Sequence, residues 1–164
     1  MLERQSRTGV PYLNETLLPA QSDDVLELDE LWSFVHDKEN AVWIWIALCR
    51  RTRQVVAWHF GPRDELSCLS LWEKIPPDYK NLMCYSDLWD SYQKVIPTEQ
   101  HHAGGKEEGE TNHVERFNLT LRQRVGRFVR KTLSFSKNLL WHLRHLRFFL
   151  VLYNTALKLR YTRL

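Results

Sequence analysis

Three apolar runs in the first part of the chain, joined by turns of a few residues, constrain its fold most. VLELDELWSFV (25–35) alternates between apolar and polar residues, AVWIWIALC (41–49) is apolar throughout, and QVVAWHF (54–60) follows a short basic turn. Alternation is typical of a strand with two unlike faces, and a continuous apolar run fits a strand that is covered on both. Turns this short join antiparallel neighbours. The sequence therefore predicts a three-stranded antiparallel meander.

The patterns after the meander alternate between helix and strand. They predict a helix at 65–75, a strand at 81–86, a short helix at 89–95 and a strand at 98–102. Because a helical crossover allows the next strand to run parallel, these two strands are expected to join the meander in one sheet. The predicted class is α/β with an RNase H-like fold, in which a mixed five-stranded sheet (three antiparallel strands, then two parallel) is flanked by helices.

Three of the predicted helices have recognisable apolar faces. The first is predicted to begin at an Asp64 N-cap and to bury Leu66, Leu69, Trp72 and Ile75. Residues 111–131 form an amphipathic pattern with apolar residues at three- and four-residue steps: Val114, Phe117, Leu121, Val125 and Phe128. A C-terminal helix at about 137–159, capped by Ser136, is apolar on most sides, so it is expected to pack on the core or on a partner.

Length and composition limit the class of protein. A chain of 164 residues, 43% of them apolar, is long enough for one domain with a substantial core. The predicted division is a linker or N-terminal arm (1–24), an RNase H-like catalytic domain (25–135) and a C-terminal helix (136–164). The three cysteines are widely spaced, which favours a reducing, cytoplasmic setting over a disulfide framework. The apolar run at 148–153 is too short to span a bilayer, so no membrane association is expected.

Charge is distributed unevenly along the chain. Residues 111–164 contain twelve Lys and Arg and a single acid, Glu115, which gives 12 − 1 = +11. Residues 1–110 contain eleven Lys and Arg and nineteen acids, which gives 11 − 19 = −8, and the two parts sum to the net +3. A basic third beside an acidic remainder points to a polyanion partner and to a cation site.

Three acids lie where the predicted fold would bring them together. Asp29 is in the middle of the first strand, Asp87 follows the fourth, and Glu115 is near the start of the 111–131 helix. Carboxylates held close together repel one another unless a cation neutralises them. Mg²⁺ (or Mn²⁺) prefers such oxygen ligands, and two ions promote in-line displacement at phosphorus. The prediction is that Asp29, Asp87 and Glu115 are both the catalytic residues and the metal ligands of a phosphodiester-processing site.

Each acid also has an ordinary structural explanation. Glu115 fits the third helical position of a capping box with Asn112 as N-cap. Asp29 is flanked by other acids and fits a surface position, and Asp87 fits a helix cap for the residues from Leu88 onward. Only the agreement of three placements favours catalysis.

Basic residues after Glu115 are predicted to bind the DNA backbone without reading its sequence. They are Arg122, Arg124, Arg127, Arg130, Lys131 and Lys137. Arg122 is spaced either to reach a phosphate near Glu115 or to pair with Glu115 itself. Arg50, Arg51 and Arg53 either add to this surface or form a solvated turn, and Trp89 either stacks on a base or packs in the core.

Three stretches in order carry the acids: LELDELWSFV, YSDLWDSY and TNHVERFNLTLRQRVGRFVRKTLSFSK. Together they resemble the catalytic part of transposases of the insertion sequence 1 family, over roughly residues 25–138. The resemblance implies a DDE recombinase in which Asp29, Asp87 and Glu115 are the catalytic triad. It implies Mg²⁺-dependent cleavage by water at the ends of the element, followed by attack of the freed 3′-hydroxyls on target DNA.

The resemblance also implies partners. Double-stranded DNA, as element ends and as target, is the expected substrate, and a homo-oligomer the expected active complex. Full-length members of the family carry an N-terminal zinc finger and helix-turn-helix, which a fused or separate reading frame would supply to this chain. Two other functions stay open: a non-catalytic DNA-binding or oligomerisation fragment that regulates the transposase, and a ribonuclease H or junction resolvase on the same fold.

Overall fold

Five strands form one mixed sheet in the structure, a computed structural model that describes residues 10–128 and 133–163. They are β1 (Val25–Val35), β2 (Asp37–Cys49), β3 (Val55–Gly61), β4 (Met83–Ser86) and β5 (His101–Ala103). Their order across the sheet is β3-β2-β1-β4-β5. β2 runs antiparallel to both β1 and β3, whereas β4 runs parallel to β1 and β5. The predicted RNase H-like arrangement of three antiparallel strands and two parallel ones is therefore confirmed.

Four α-helices flank the sheet. They are α1 (Glu65–Lys74), α2 (Asp90–Val95), α3 (Asn112–Arg124) and α4 (Leu139–Tyr161). Asp64 caps α1 as predicted, since its carboxylate accepts the N–H of Ser67 at 2.8 Å. The predicted buried face of α1 is partly wrong, because Leu66 is 73% exposed and Leu69 40%. The face that meets the sheet carries Ser67, Cys68 and Leu71, and its small side chains let the helix lie close to β3.

Alternation along β1 divides the interior into two clusters. Leu26 and Leu28 point to one face of the sheet, where they pack with residues of α1 and α2. Leu31 points to the other face and packs with residues of α3 and α4. Glu27 and Asp29 share the face of Leu31, since side chains two residues apart on a strand point the same way. Two acids of β1 therefore face α3.

The helix predicted at 111–131 is shorter in the structure. α3 ends at Arg124, and a 3₁₀ turn (Gly126–Phe128) follows it. The turn redirects the chain so that Phe128 reaches the core, where it is 2% exposed and stacks on the ring of His142 with centroids 4.3 Å apart. The guanidinium of Arg122 stabilises this turn by donating to the carbonyl oxygens of Phe128 (3.2 Å) and Trp32 (2.9 Å).

α4 begins two residues later than the predicted Ser136 cap implies. Its N-cap is Asn138, whose side chain accepts the N–H of Trp141 at 3.2 Å. Ser136 is fully buried instead, with its hydroxyl 2.7 Å from Nδ1 of His142. One stripe of α4 enters the core (Leu143, Leu146 and Leu150). In the described part of the chain, no helix combines the length and apolar character that crossing a bilayer requires.

Residues before β1, assigned by the sequence to a linker or arm, contact the sheet and α4. A 3₁₀ turn (Leu13–Thr16) precedes β1, and Thr16 is buried. The side-chain amide of Gln54 donates to the carbonyl of Thr16 at 2.8 Å, and the amide of Asn154 donates to the Thr16 hydroxyl at 3.1 Å. These bonds connect the N-terminal segment to the start of β3 and to α4.

Candidate active site

The pairing of β1 with β4 brings Asp29 and Asp87 to one region of the sheet. In this parallel pair, Glu27 lies opposite Tyr85. Asp29 lies two residues after Glu27, and Asp87 lies two residues after Tyr85. The two acids are therefore at the same level along the neighbouring strands and on the same face of the sheet. Asp87 stands just past the end of β4, where its Oδ1 accepts the N–H of Trp89 at 3.1 Å. The helix cap that the sequence left open for Asp87 is not formed, because the N-cap of α2 is Trp89 and no side chain caps that helix.

Glu115 enters from the first turn of α3, which packs against the same face. The N-cap of α3 is Thr111 and not Asn112, so Glu115 is the fourth helical residue and does not form the predicted capping box. Its Oε1 instead accepts the hydroxyl of Thr111 at 3.0 Å. The capping explanation for Glu115 is therefore wrong.

A residue that the sequence did not single out caps α3. Glu27 is fully buried, and its Oε2 accepts the N–H of His113 (2.9 Å) and of Val114 (3.0 Å). Its Oε1 lies 2.7 Å from Nε of Arg50 and 2.6 Å from Nδ1 of His113. An acid two residues before Asp29, on the same side of β1, was the only indication in the sequence.

The electrostatics of Asp29 reflect the other acids. The pKa of Asp29 is raised to about 7, first by burial and then by the neighbouring charge of Glu30. The charges of Asp87 and Glu115 act in the same direction, while a hydrogen bond from the backbone of Glu30 opposes them. The two acids predicted to share a site with Asp29 are thus close enough to disfavour its ionised form.

Asn118 is a second site residue that the sequence did not reveal. It lies one turn after Glu115 on α3, and its side-chain N–H donates to Oδ2 of Asp29 at 2.7 Å. Its amide oxygen is buried and has no hydrogen-bond partner within the described chain. A buried acceptor without a donor is costly and points to a missing partner.

The donor set has the chemistry that Mg²⁺ or Mn²⁺ prefers. Three carboxylates and the orphaned amide oxygen of Asn118 are hard oxygen ligands. Within residues 10–128 and 133–163, however, no three His, Cys, Asp or Glu side chains stand ready to hold a metal ion. Oδ2 of Asp29 accepts a hydrogen bond from Asn118 and Oε1 of Glu115 accepts one from Thr111, so each bond engages one of the two oxygens of its carboxylate.

Three of the predicted DNA-binding residues line one cavity. Arg124, Arg127 and Lys137 surround a volume of about 670 Å³ between the end of α3 and the start of α4, with Trp141 on its wall. Trp141 is 53% exposed, so its ring is accessible beside the cations. Arg122 points elsewhere, to the carbonyl oxygens named above. Arg130 and Lys131 lie outside the described residues.

Arg50, Arg51 and Trp89 contact other residues of the protein, whereas Nη1 of Arg53 is buried and has no hydrogen-bond partner within the described residues. Arg50 is bonded to Glu27, and Arg51 forms a pair with Asp24 at 2.6 Å. The ring of Trp89 packs on that of Trp45, with centroids 5.2 Å apart. Core packing, one of the two roles open for Trp89, is the one it has.

Comparison with known proteins agrees with this architecture. Residues 25–154 match the family of IS1 transposases. The chain is 40% identical over 118 residues to the insertion element iso-IS1n protein InsB of Shigella dysenteriae, covering 72% of this chain and 87% of that protein. It is 33% identical over 116 residues to the IS1 4 protein InsB of Escherichia coli K12, covering 71% and 67%. The chain therefore belongs to the IS1 transposase family.

Proposed function

We propose that this chain is the catalytic part of a DNA transposase that cuts phosphodiesters at the ends of an insertion element and joins the 3′-hydroxyl ends to target DNA. In this proposal Asp29, Asp87 and Glu115 hold Mg²⁺ or Mn²⁺, with two ions expected. One observation carries it: acids from three separate elements face one region, and two of them raise the pKa of the third.

The residues of the chain have distinct roles in this proposal. When bound, the ions supply activation of the attacking oxygen and stabilisation of the leaving one. Asp29 loses its proton when the site fills, because a carboxylate must be ionised to serve as a ligand. Thr111 and Asn118 hold Glu115 and Asp29 in place through the hydrogen bonds at 3.0 and 2.7 Å. Arg124, Arg127 and Lys137 bind phosphates of the DNA backbone.

Recognition and assembly are further parts of the proposal. A basic cavity that contacts phosphates holds DNA but carries no sequence information. Selection of the element ends is therefore assigned to the zinc finger and helix-turn-helix of a fused or separate reading frame. A homo-oligomer would bring two ends together, in the bacterial cytoplasm where the DNA is.

Substitution of Asp87 tests the catalytic proposal, with the neighbouring Asp90 as control. Asp90 is exposed in the first turn of α2, three residues further on. Asp87→Asn should lower Mn²⁺- or Mg²⁺-dependent nicking and strand transfer by about 100-fold or more, since it removes a ligand of the ions. Asp90→Asn should leave both reactions unchanged. Equal activity of Asp87→Asn and wild type would sink the catalytic assignment.

A regulatory fragment without catalysis is the second candidate function. An exposed apolar side of α4 favours it, since Phe148 and Leu152 are 54% and 52% exposed and offer a surface to a partner. This candidate predicts DNA binding without any metal-dependent cleavage by the wild-type chain, including after fusion to the end-recognising domains.

Linear duplex, junction and RNA–DNA hybrid substrates in the same assay test the resolvase and ribonuclease H alternatives.

A further inference from the structure

We propose that Glu27 is a positioning residue that fixes Glu115 relative to Asp29, a role that rests on the proposed function. Glu27 contacts neither the DNA nor the ions in this proposal. It acts through the backbone of α3, the helix that carries Glu115.

The contacts of Glu27 fall on the residues just before Glu115. Its Oε2 accepts the N–H groups of His113 and Val114, and the N-cap residue Thr111 makes no side-chain cap of its own. A carboxylate at a helix N-terminus satisfies otherwise unpaired N–H groups and is favoured by the helix dipole. The start of α3 is thus held by β1 and not by its own sequence.

A second contact holds α3 on the other side of Glu115. Asn118, one turn later, donates to Asp29 at 2.7 Å. Glu27 and Asp29 are two residues apart on one face of β1, about 7 Å along the strand. Glu115 therefore lies between two points at which α3 is bonded to β1. Releasing the first point would allow the helix start, and Glu115 with it, to shift.

Arg50 extends this anchor to the remaining elements of the site. Its guanidinium donates to Glu27 (2.7 Å) and to the carbonyl of Glu110 (2.7 Å) in the segment before α3. It also lies over the ring of Tyr85 in β4, 4.7 Å from the centroid. Tyr85 precedes Asp87 by two residues, so the ion pair of the buried Glu27 with the half-buried Arg50 touches the elements that carry all three acids. A buried carboxylate requires such a partner, which fixes its position.

Asp24 offers a matched control for a purely structural role. Its side chain is 1% exposed and pairs with Arg51, as Glu27 is buried and pairs with Arg50. It accepts the N–H of Gln21 at 2.8 Å. Within the described part of the chain, Asp24 accepts hydrogen bonds from Gln21 and Arg51, which lie outside α3. Loss of either carboxylate should weaken the fold, but only Glu27 should affect the placement of Glu115.

The experiment compares Mn²⁺ binding by wild type, Glu27→Gln and Asp24→Asn, using calorimetric titration and the melting temperature with and without metal. Both variants should melt at lower temperature without metal. Glu27→Gln should also weaken Mn²⁺ binding by about 10- to 100-fold, the range seen when support of a metal ligand is lost. Asp24→Asn should bind within about twofold of wild type, as expected for a distant site.

The outcomes separate this inference from the proposed function. Wild-type affinity in Glu27→Gln, or equal weakening in both variants, overturns the positioning role. A wild-type chain that binds no Mn²⁺, or binds it as tightly after Asp87→Asn, overturns the proposed function and the positioning role with it. If Glu27→Gln does not fold, Glu27→Asp replaces it. That variant keeps the charge opposite Arg50 but is too short for both N–H groups, so weakened Mn²⁺ binding is again expected.

Discussion

At the scale of single residues, the most informative property is the raised pKa of Asp29. Its pKa is raised to about 7 by burial first, then by Glu30, Asp87 and Glu115. Between about pH 4 and about pH 7, Asp29 of the folded, metal-free protein holds a proton that the same residue has lost in the unfolded state, where its pKa is an ordinary 3.8. This group's contribution to stability therefore falls as pH rises from about 4 to about 7.

Metal binding should show the opposite dependence on pH. A cation competes with the proton on Asp29, so the affinity for Mn²⁺ should weaken by up to about tenfold for each pH unit below about 7 and level off above it. Calorimetric titration in buffers from about pH 5.5 to about pH 8 measures this, and heats in buffers of different ionisation enthalpy count the released proton. An affinity that is constant up to pH 7 would contradict the role of Asp29 as ligand.

At the scale of elements, α3 separates what the sequence could predict from what it could not. Its amphipathic period located the helix and its buried residues, including Phe128. The period did not reveal the cap, because Glu27 comes from a strand far away in the chain. It also did not reveal the end at Arg124, because a 3₁₀ turn keeps Phe128 buried by another route. In α1 two apolar stripes compete, and periodicity alone cannot choose the one with small residues.

Arg122 and Arg124 should differ in what they support. Arg122 donates to one backbone carbonyl in the turn after α3 and to another in β1, whereas Arg124 is exposed at the cavity. Arg122→Gln should cost about 1–3 kcal/mol of unfolding free energy, as expected for hydrogen bonds from a charged group. Arg124→Gln should change stability by less than about 0.5 kcal/mol but weaken DNA binding. Urea unfolding and fluorescence anisotropy with duplex DNA measure the two effects. If Arg122→Gln instead weakened DNA binding and left the unfolding free energy unchanged, Arg122 would be the phosphate contact that the sequence predicted.

At the scale of the whole molecule, the acids of the N-terminal part and the basic residues of the C-terminal part lie in different surroundings. Acids of the N-terminal part are paired inside the protein, as in Glu27–Arg50, Asp24–Arg51 and Glu30–Arg63. Basic residues of the C-terminal part line an open cavity. Element order predicted the sheet. Internal pairing of Arg50 and Arg51 was not predictable, because it depends on which strands become neighbours.

Removing one cation from the cavity should affect DNA binding alone. Lys137→Gln should weaken binding of duplexes of any sequence to a similar degree, and should lower the slope of log affinity against log salt by about 0.9 if it contacts one phosphate. Its Mn²⁺ affinity should equal that of the wild type. Anisotropy titrations at several salt concentrations provide the slope, and an unchanged slope would remove Lys137 from the DNA surface.

The length of α3 has a consequence for the substrate. Glu115 is the fourth residue of α3 and the basic cavity is at the end of the helix, so the step from Glu115 to Arg124 spans about 14 Å at about 1.5 Å per residue. At about 3.4 Å per base pair, this corresponds to roughly four base pairs of duplex. Under the proposed function, α3 thus sets a minimum length for the substrate. An oligonucleotide much shorter than this could contact the basic cavity or the catalytic acids, but not both.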